Sequence, residues 1–177
     1  YQSMPMFGDF EVQLKKLSGL KLKLPTEVHV WSLLAFYFDL STAETRKLLT
    51  LWKSSNEIID NDILTFDLLR KLAANSVANF DLYHATKFNV KNAVRLMRYT
   101  DTTLQGNVIM DRYELLPIKK RSEMQITGGQ LISQGIIKPS PQLGRILNLL
   151  EKSVVAGEVA NEPVKLTNQA EKVMEQE

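Results

Sequence analysis

The sequence contains no cysteine, which excludes disulfides and thiolate metal sites and fits a reducing compartment such as the cytoplasm. It has two histidines, His29 and His84, far apart in the chain, so no metal site is expected. No apolar run nears the roughly 20 residues needed to cross a bilayer. The richest, "WSLLAFYFDL" from Trp31 to Leu40, is too short, and no membrane partner is expected. There is no Gly-rich phosphate loop and no Ser/His/Asp arrangement. Catalytic residues and cofactors are therefore not expected in this chain.

What is present suits an ordinary globular protein: 177 residues, 44% hydrophobic and 24% charged, enough for one large domain or two small ones. The opening "YQSMPM" is neither a signal nor a transit peptide. It resembles the scar of a cleaved purification tag, which would put the first native residue at Met4 or Pro5 and make the chain a piece of something longer. Net charge is only +2, but it is unevenly spread. From Lys87 to Arg121 eight basic residues face three acids; that segment carries +5 and the remainder −3. An anionic partner for the middle of the chain is the simplest reading.

Strand signals are scarce, and nearly every periodic segment has helical spacing. The expected fold class is all-α, an irregular helical bundle in two parts: a body over residues 1–115 and a smaller tail over 116–177. Helices are expected over 9–18 with Asp9 as cap, 27–38 after the Thr26 cap, and 42–52 after Ser41, with Glu44 completing a capping box. Ser54 or Ser55 should cap the next, to Leu72. Asn79 should cap a short helix over 80–85, and a longer one should run from about Val90 past Tyr99 until Gly106 and Asn107 stop it. "LLPIKKRSEMQITGG", from Leu115 to Gly129, reads as the hinge between the parts. Beyond it lie a short helix capped by Thr127, a longer one with Ser140 as cap and Pro141 at its first position, and a last one from about Glu162.

Two sets of residues are candidates for nucleic-acid binding. Lys87, Lys91, Arg95 and Arg98 are spaced four, four and three, which makes one stripe on a helix. The basic excess continues through Arg112 into Lys119, Lys120 and Arg121, a strip suited to a phosphodiester backbone; a merely solvated face is the competing reading. In "TGGQLISQGIIKPSPQLGRILNLLEK", from Thr127 to Lys152, Gly135, Ser140 and Gly157 beyond it are punctuation. Gly128, Gly129 and Gly144 fall in first turns, where Gly costs about 1 kcal/mol relative to Ala. There they would admit either a phosphate, drawn to free N–H groups, or a neighbouring helix; both readings stand. Lys138 in the turn and Arg145 and Lys152 along the second helix join the candidates. The helix–turn–helix outline also resembles a helix-hairpin-helix. "DND", Asp60 to Asp62, has the spacing of a nucleotidyltransferase carboxylate pair. That chemistry needs a strand, where residues two apart share a face; here the pattern is helical.

The stretch from Leu116 to Glu162 resembles the C-terminal end of bacterial CCA-adding enzymes, the class II tRNA nucleotidyltransferases. The matching motifs are "LPI" (Leu116 to Ile118), "ITGGQL" (Ile126 to Leu131), the turn from Gly135 to Gly144, and the ending from Val155 to Asn161. "LLTLWKSSNEIID", Leu48 to Asp60, is similar to the body segment in which a Trp-Lys pair and an Asn precede a helix. The resemblance is specific over 116–162, looser over 25–115 and absent earlier. Ser140 stands where the family often has Gly, which leaves the turn intact but removes one point of close phosphate approach.

The resemblance implies that the parent adds C, C and A to tRNA 3′ ends from CTP and ATP, with catalytic carboxylates and Mg²⁺ in a head and base selection in a neck. Neither is in this chain, which alone should be inactive. What remains would hold the tRNA elbow by backbone and shape. Two other classes remain open at this point: a helix-hairpin-helix DNA-binding module, and a structural or protein-interaction helical domain whose cations are only solvated.

Overall fold

The structure, a computed structural model, describes residues 10–20, 24 and 26–175. Among them there are ten α-helices and no strand, so the all-α expectation holds. They form two compact units divided between Asp111 and Arg112.

The first unit opens with α1 (Phe10–Ser18), ended at Gly19, whose N–H bonds the Lys15 carbonyl at 3.2 Å. The cap expected at Asp9 lies outside the described residues. α2 (Glu27–Tyr37) starts after Thr26 in extended conformation. The Thr26 hydroxyl does not cap the backbone as expected; it bonds Nδ1 of the buried His29 instead. α3 (Thr42–Leu51) has the full Ser41/Glu44 capping box. α4 (Asn56–Ala73) is capped by Ser55, which accepts from the Ile58 N–H at 3.4 Å.

α4 is the central element, packed against α2, α3 and α6. Its apolar face places Phe66 and Leu69, both fully buried, among Leu33, Leu40, Leu48 and Leu96. Along the same helix Asp60 is exposed and paired with Arg46 at 3.0 Å, whereas Asp62 is buried and accepts from the Ser32 hydroxyl at 2.8 Å. The two carboxylates of "DND" therefore part, as helical spacing requires, and do not fit a shared Mg²⁺.

Three boundaries differ from the sequence reading. α5 (Asn79–His84) begins at Asn79 rather than after it; the N-terminal anchor is Asp81, whose carboxylate accepts from the Ala78 N–H at 2.7 Å. α6 (Lys87–Leu96) begins earlier than Val90, because Thr86 and Asn89 form a reciprocal capping box. It tightens into a 3₁₀ turn at Met97–Tyr99. Gly106, expected to stop a helix, instead starts α7 (Gly106–Glu114). A Cβ on Gly106 would lie 2.6 Å from Val94 Cγ1, so glycine here serves close packing of the chain on α6.

The second unit begins with a packed segment. Leu116, Ile118 and Ile126 are buried, and a 3₁₀ turn spans Arg121–Glu123. Asn161 holds this segment: its Oδ1 accepts from the Gln125 N–H at 2.9 Å and its Nδ2 donates to the Glu123 carbonyl at 2.8 Å. α8 (Gly128–Ser133) carries a Thr127/Gln130 capping box. α9 (Pro141–Ala156) ends at Gly157, left-handed at φ 79°, as a C-terminal glycine should. Ser140 is extended at the start of α9, but its side chain makes no cap bond. α9 packs against α8 and α10 (Pro163–Glu175), burying Ile146, Leu150 and Val154 on one side and Leu166 and Ala170 on the other.

Candidate nucleic-acid interface

The candidate residues fall in both units, and each set is described within its own. In the first unit, Asn89 fixes the orientation of α6. Its Oδ1 accepts from the Thr86 N–H at 3.1 Å, while its Nδ2 donates to the Asn61 carbonyl at 3.1 Å and to Thr65 Oγ1 at 3.2 Å. One buried amide thus caps α6 and ties it to α4. Asn89, Val90, Asn92, Ala93 and Leu96 are consequently buried, and Lys87, Lys91 and Arg95 are turned outward and exposed. Arg98, exposed in the 3₁₀ turn, continues the line; its Nε donates to the Arg95 carbonyl at 3.1 Å. The four cations predicted as a stripe form an exposed ridge. Its charge is felt inside: burial, and after it the Arg95 charge, lowers the pKa of His29.

In the second unit the basic triplet is divided. Lys119 is half-buried; its backbone N–H donates to Glu123 Oε2 at 2.7 Å and its Nζ to the Glu114 carbonyl at 2.8 Å. Arg121 Nη1 donates to Asn148 Oδ1 at 2.7 Å and lies 3.5 Å from Glu151 Oε2, tying the 3₁₀ turn to α9. Only the exposed Lys120 fits the simple reading of a cation presented to solvent. Arg145 and Lys152 are exposed on α9, seven residues apart and so on one face, with Asn148 between them. The Arg121–Asn148 bond therefore gathers Arg121, Arg145 and Lys152 on that face, partly offset by Glu151. The sequence placed these cations in a series, but a partner 27 residues away leaves no local signal. Lys138 is exposed between α8 and α9.

The three glycines separate. A Cβ on Gly128 would meet Leu143 Cδ2 at 3.1 Å and Leu147 Cδ1 at 3.3 Å, so this glycine admits the neighbouring helix. Gly129 has only Thr127 Oγ1 near it, at 3.9 Å, and Gly144 has nothing within 4 Å; both leave the backbone open. Gly144→Ala should stabilise the second unit by up to about 1 kcal/mol, the difference in helix propensity, raising its midpoint in urea followed by far-UV circular dichroism. A fall would mean that something packs on Gly144 after all.

Among the described residues no group of three or more His, Asp or Glu could hold a metal ion, and no helix is long and apolar enough to cross a membrane.

Known proteins share this outline. The family model described as tRNA nucleotidyltransferase domain 2 matches residues 22–170. The CCA-adding enzyme of Pediococcus pentosaceus is 35% identical over 170 residues, covering 96% of this chain and 42% of the relative. That of Ligilactobacillus salivarius is 32% identical over 178 residues, covering 99% of this chain and 44% of the relative. The crystal structure of the Bacillus stearothermophilus CCA-adding enzyme in complex with CTP superposes with a TM-score of 0.76 at 21% identity, over 96% of this chain and 44% of that one; it is a likeness of fold. The chain thus spans less than half the length of these relatives, in their C-terminal part.

Proposed function

The chain belongs to the tRNA nucleotidyltransferase domain 2 family, and from that premise we propose that it is the tRNA-holding part of a CCA-adding enzyme. The observation that carries the proposal is the α6 ridge. Lys87, Lys91, Arg95 and Arg98 stand exposed in one line, held outward by a buried amide rather than by chance of rotamer. A rigid cationic line suits phosphates and reads no bases, as befits an enzyme that must accept every tRNA. Arg145 and Lys152 on α9, with Arg121 bonded to Asn148 beside them, would add a second phosphate-binding face, with Lys120, Lys138 and the open backbone at Gly129 and Gly144 beside the turns.

In this proposal residues 1–115 act as a helical body and 116–177 as a tail, working in the cytoplasm. Catalysis, Mg²⁺ and the CTP and ATP sites belong to the part of the relatives that this chain does not match. The chain alone binds tRNA and transfers no nucleotide.

The test is a salt titration of binding between the 177-residue chain and uncharged tRNA. Neutralising one phosphate-binding cation should reduce the slope of log affinity against log salt by about 0.7–0.9. Lys91→Gln should therefore lower it by roughly one, with a similar weakening for any tRNA. An unchanged slope on neutralising all four ridge residues would overturn the proposal for α6.

A further inference from the structure

One side chain on the ridge is not a cation. Phe88 lies between Lys87 and Asn89 on α6 and is 46% exposed. At 100° per residue, Lys87, Lys91, Arg95 and Phe88 share an arc of about 100°, while the buried residues occupy the opposite side. Phe88 is three residues before Lys91 and seven before Arg95, so it stands at the margin of the charged line, next to Arg95 and between it and the buried Asn92. A lone exposed apolar residue needs no explanation. A planar ring set among phosphate-binding cations has one, because nucleic acid offers phosphates and flat bases together.

The surroundings favour the same reading. α5, which ends three residues before α6, carries three more rings in mutual contact. Phe80 stacks on Tyr83 at 5.9 Å between centroids and meets His84 edge-on at 4.3 Å. His84 is exposed, and Phe80 and Tyr83 are half-buried. Planar side chains thus precede the Lys87 end of the ridge in the chain, where the Thr86/Asn89 capping box fixes the backbone. An acidic protein surface would use the cations and leave the ring unsatisfied. An RNA with an unstacked base would use both.

We propose that Phe88 is a stacking contact for an unpaired nucleobase of the RNA whose phosphates lie along Lys87, Lys91 and Arg95. The proposal rests on the RNA-holding reading above. It adds a contact that is insensitive to salt and tolerant of sequence, and it directs the ridge towards the looped regions of a folded RNA in preference to its duplex arms.

The experiment compares the 177-residue chain with its Phe88→Ala, Phe88→Leu and Phe88→Trp variants. Each is titrated with uncharged tRNA and with a blunt RNA duplex carrying the same number of phosphates, across a range of salt. Unchanged far-UV circular dichroism confirms that the half-exposed site tolerates the changes. Phe88→Ala should weaken tRNA binding about fivefold or more, leave its salt slope as in the parent and leave duplex binding untouched. Phe88→Leu, which keeps apolar bulk without a flat face, should behave like Phe88→Ala, and Phe88→Trp should bind at least as well as Phe. If Phe88→Ala binds tRNA normally while Lys91→Gln still lowers the slope, Phe88 is not a base contact and the ridge proposal stands. Equal weakening on tRNA and duplex would also remove the stacking role. No binding by the parent chain to either ligand would sink both proposals together.

Discussion

Phe66→Ala should lower the stability of the first unit by about 3–5 kcal/mol, the cost of removing a fully buried aromatic ring. Phe66 is at 0% exposure on α4, in the cluster that joins α1, α2, α3 and α6 through Leu17, Leu33, Leu48 and Leu96. The effect has two parts: transfer free energy of the ring, and the cavity left because neighbours on several helices cannot all close on it. The guanidinium of Arg70, 5.5 Å from the ring centroid, would lose its face as well. Phe66→Leu, which keeps most of the volume, should cost less than half as much. Both tryptophans, Trp31 and Trp52, lie in the first unit, so their fluorescence in a urea titration reads this unit. A drop below about 1 kcal/mol for Phe66→Ala would mean that α4 is not the central packing element.

Asp62→Asn should abolish a pH dependence of stability. Asp62 is fully buried, and burial raises its pKa from 3.8 to about 7; the Ser32 hydroxyl opposes that rise and the Glu27 charge adds to it. Because the folded pKa lies above the unfolded value, the folded chain holds the proton more tightly. The stabilisation is complete below about pH 4 and is lost as pH rises through about 7. Above that, an ionised carboxylate is buried with one oxygen, Oδ2, lacking a hydrogen-bond partner. Asparagine can keep the Ser32 bond and carries no charge. At pH 8 the variant should gain stability on the wild type by up to about 4 kcal/mol, at roughly 1.4 kcal/mol per unit, and the gain should vanish near pH 4. Urea midpoints at pH 4, 6 and 8, again by tryptophan fluorescence, read this directly. A constant difference across the three would mean that Asp62 does not titrate in this window.

The parts of the fold that are legible in the sequence are those with short-range causes. Ser41 and Glu44 are three residues apart and their capping box forms as read; Thr127 caps α8 as read, with Gln130 completing a box that the sequence reading did not name. Gly135 and Gly157 take the positive φ expected of them, 75° and 79°. Sequence reasoning fails where a distant packing partner competes with a local rule. Gly106 looks like a helix stop until Val94, twelve residues earlier in the chain, is found against it. The Thr26 hydroxyl has a local cap available but bonds His29 instead, because the imidazole is buried and needs a partner. The Thr86/Asn89 box is hard to see in the sequence because asparagine at its third position is a weaker signal than Glu or Gln.

The candidate interface divides the same way. That Lys87, Lys91 and Arg95 share a face follows from helical spacing alone. That Asn89 is the residue holding the face outward does not, since its partners Asn61 and Thr65 come from another helix. Gly128 could not be assigned to packing before Leu143 and Leu147 were placed opposite it. Arg121 and Lys119 read as plain surface cations in a run of three; the groups they bond, Asn148 and the Glu114 carbonyl, make that triplet partly structural.

A chain that grips tRNA through its phosphates and shape, as proposed, should distinguish ligands in competition binding of the 177-residue chain to uncharged tRNA, a minihelix of the acceptor and T arms, and a duplex DNA of similar length, each over a range of salt. The expected result is tighter binding of tRNA and minihelix than of DNA, with affinity falling steeply as salt rises. Equal or tighter binding to DNA, or no binding even at low salt, would contradict it.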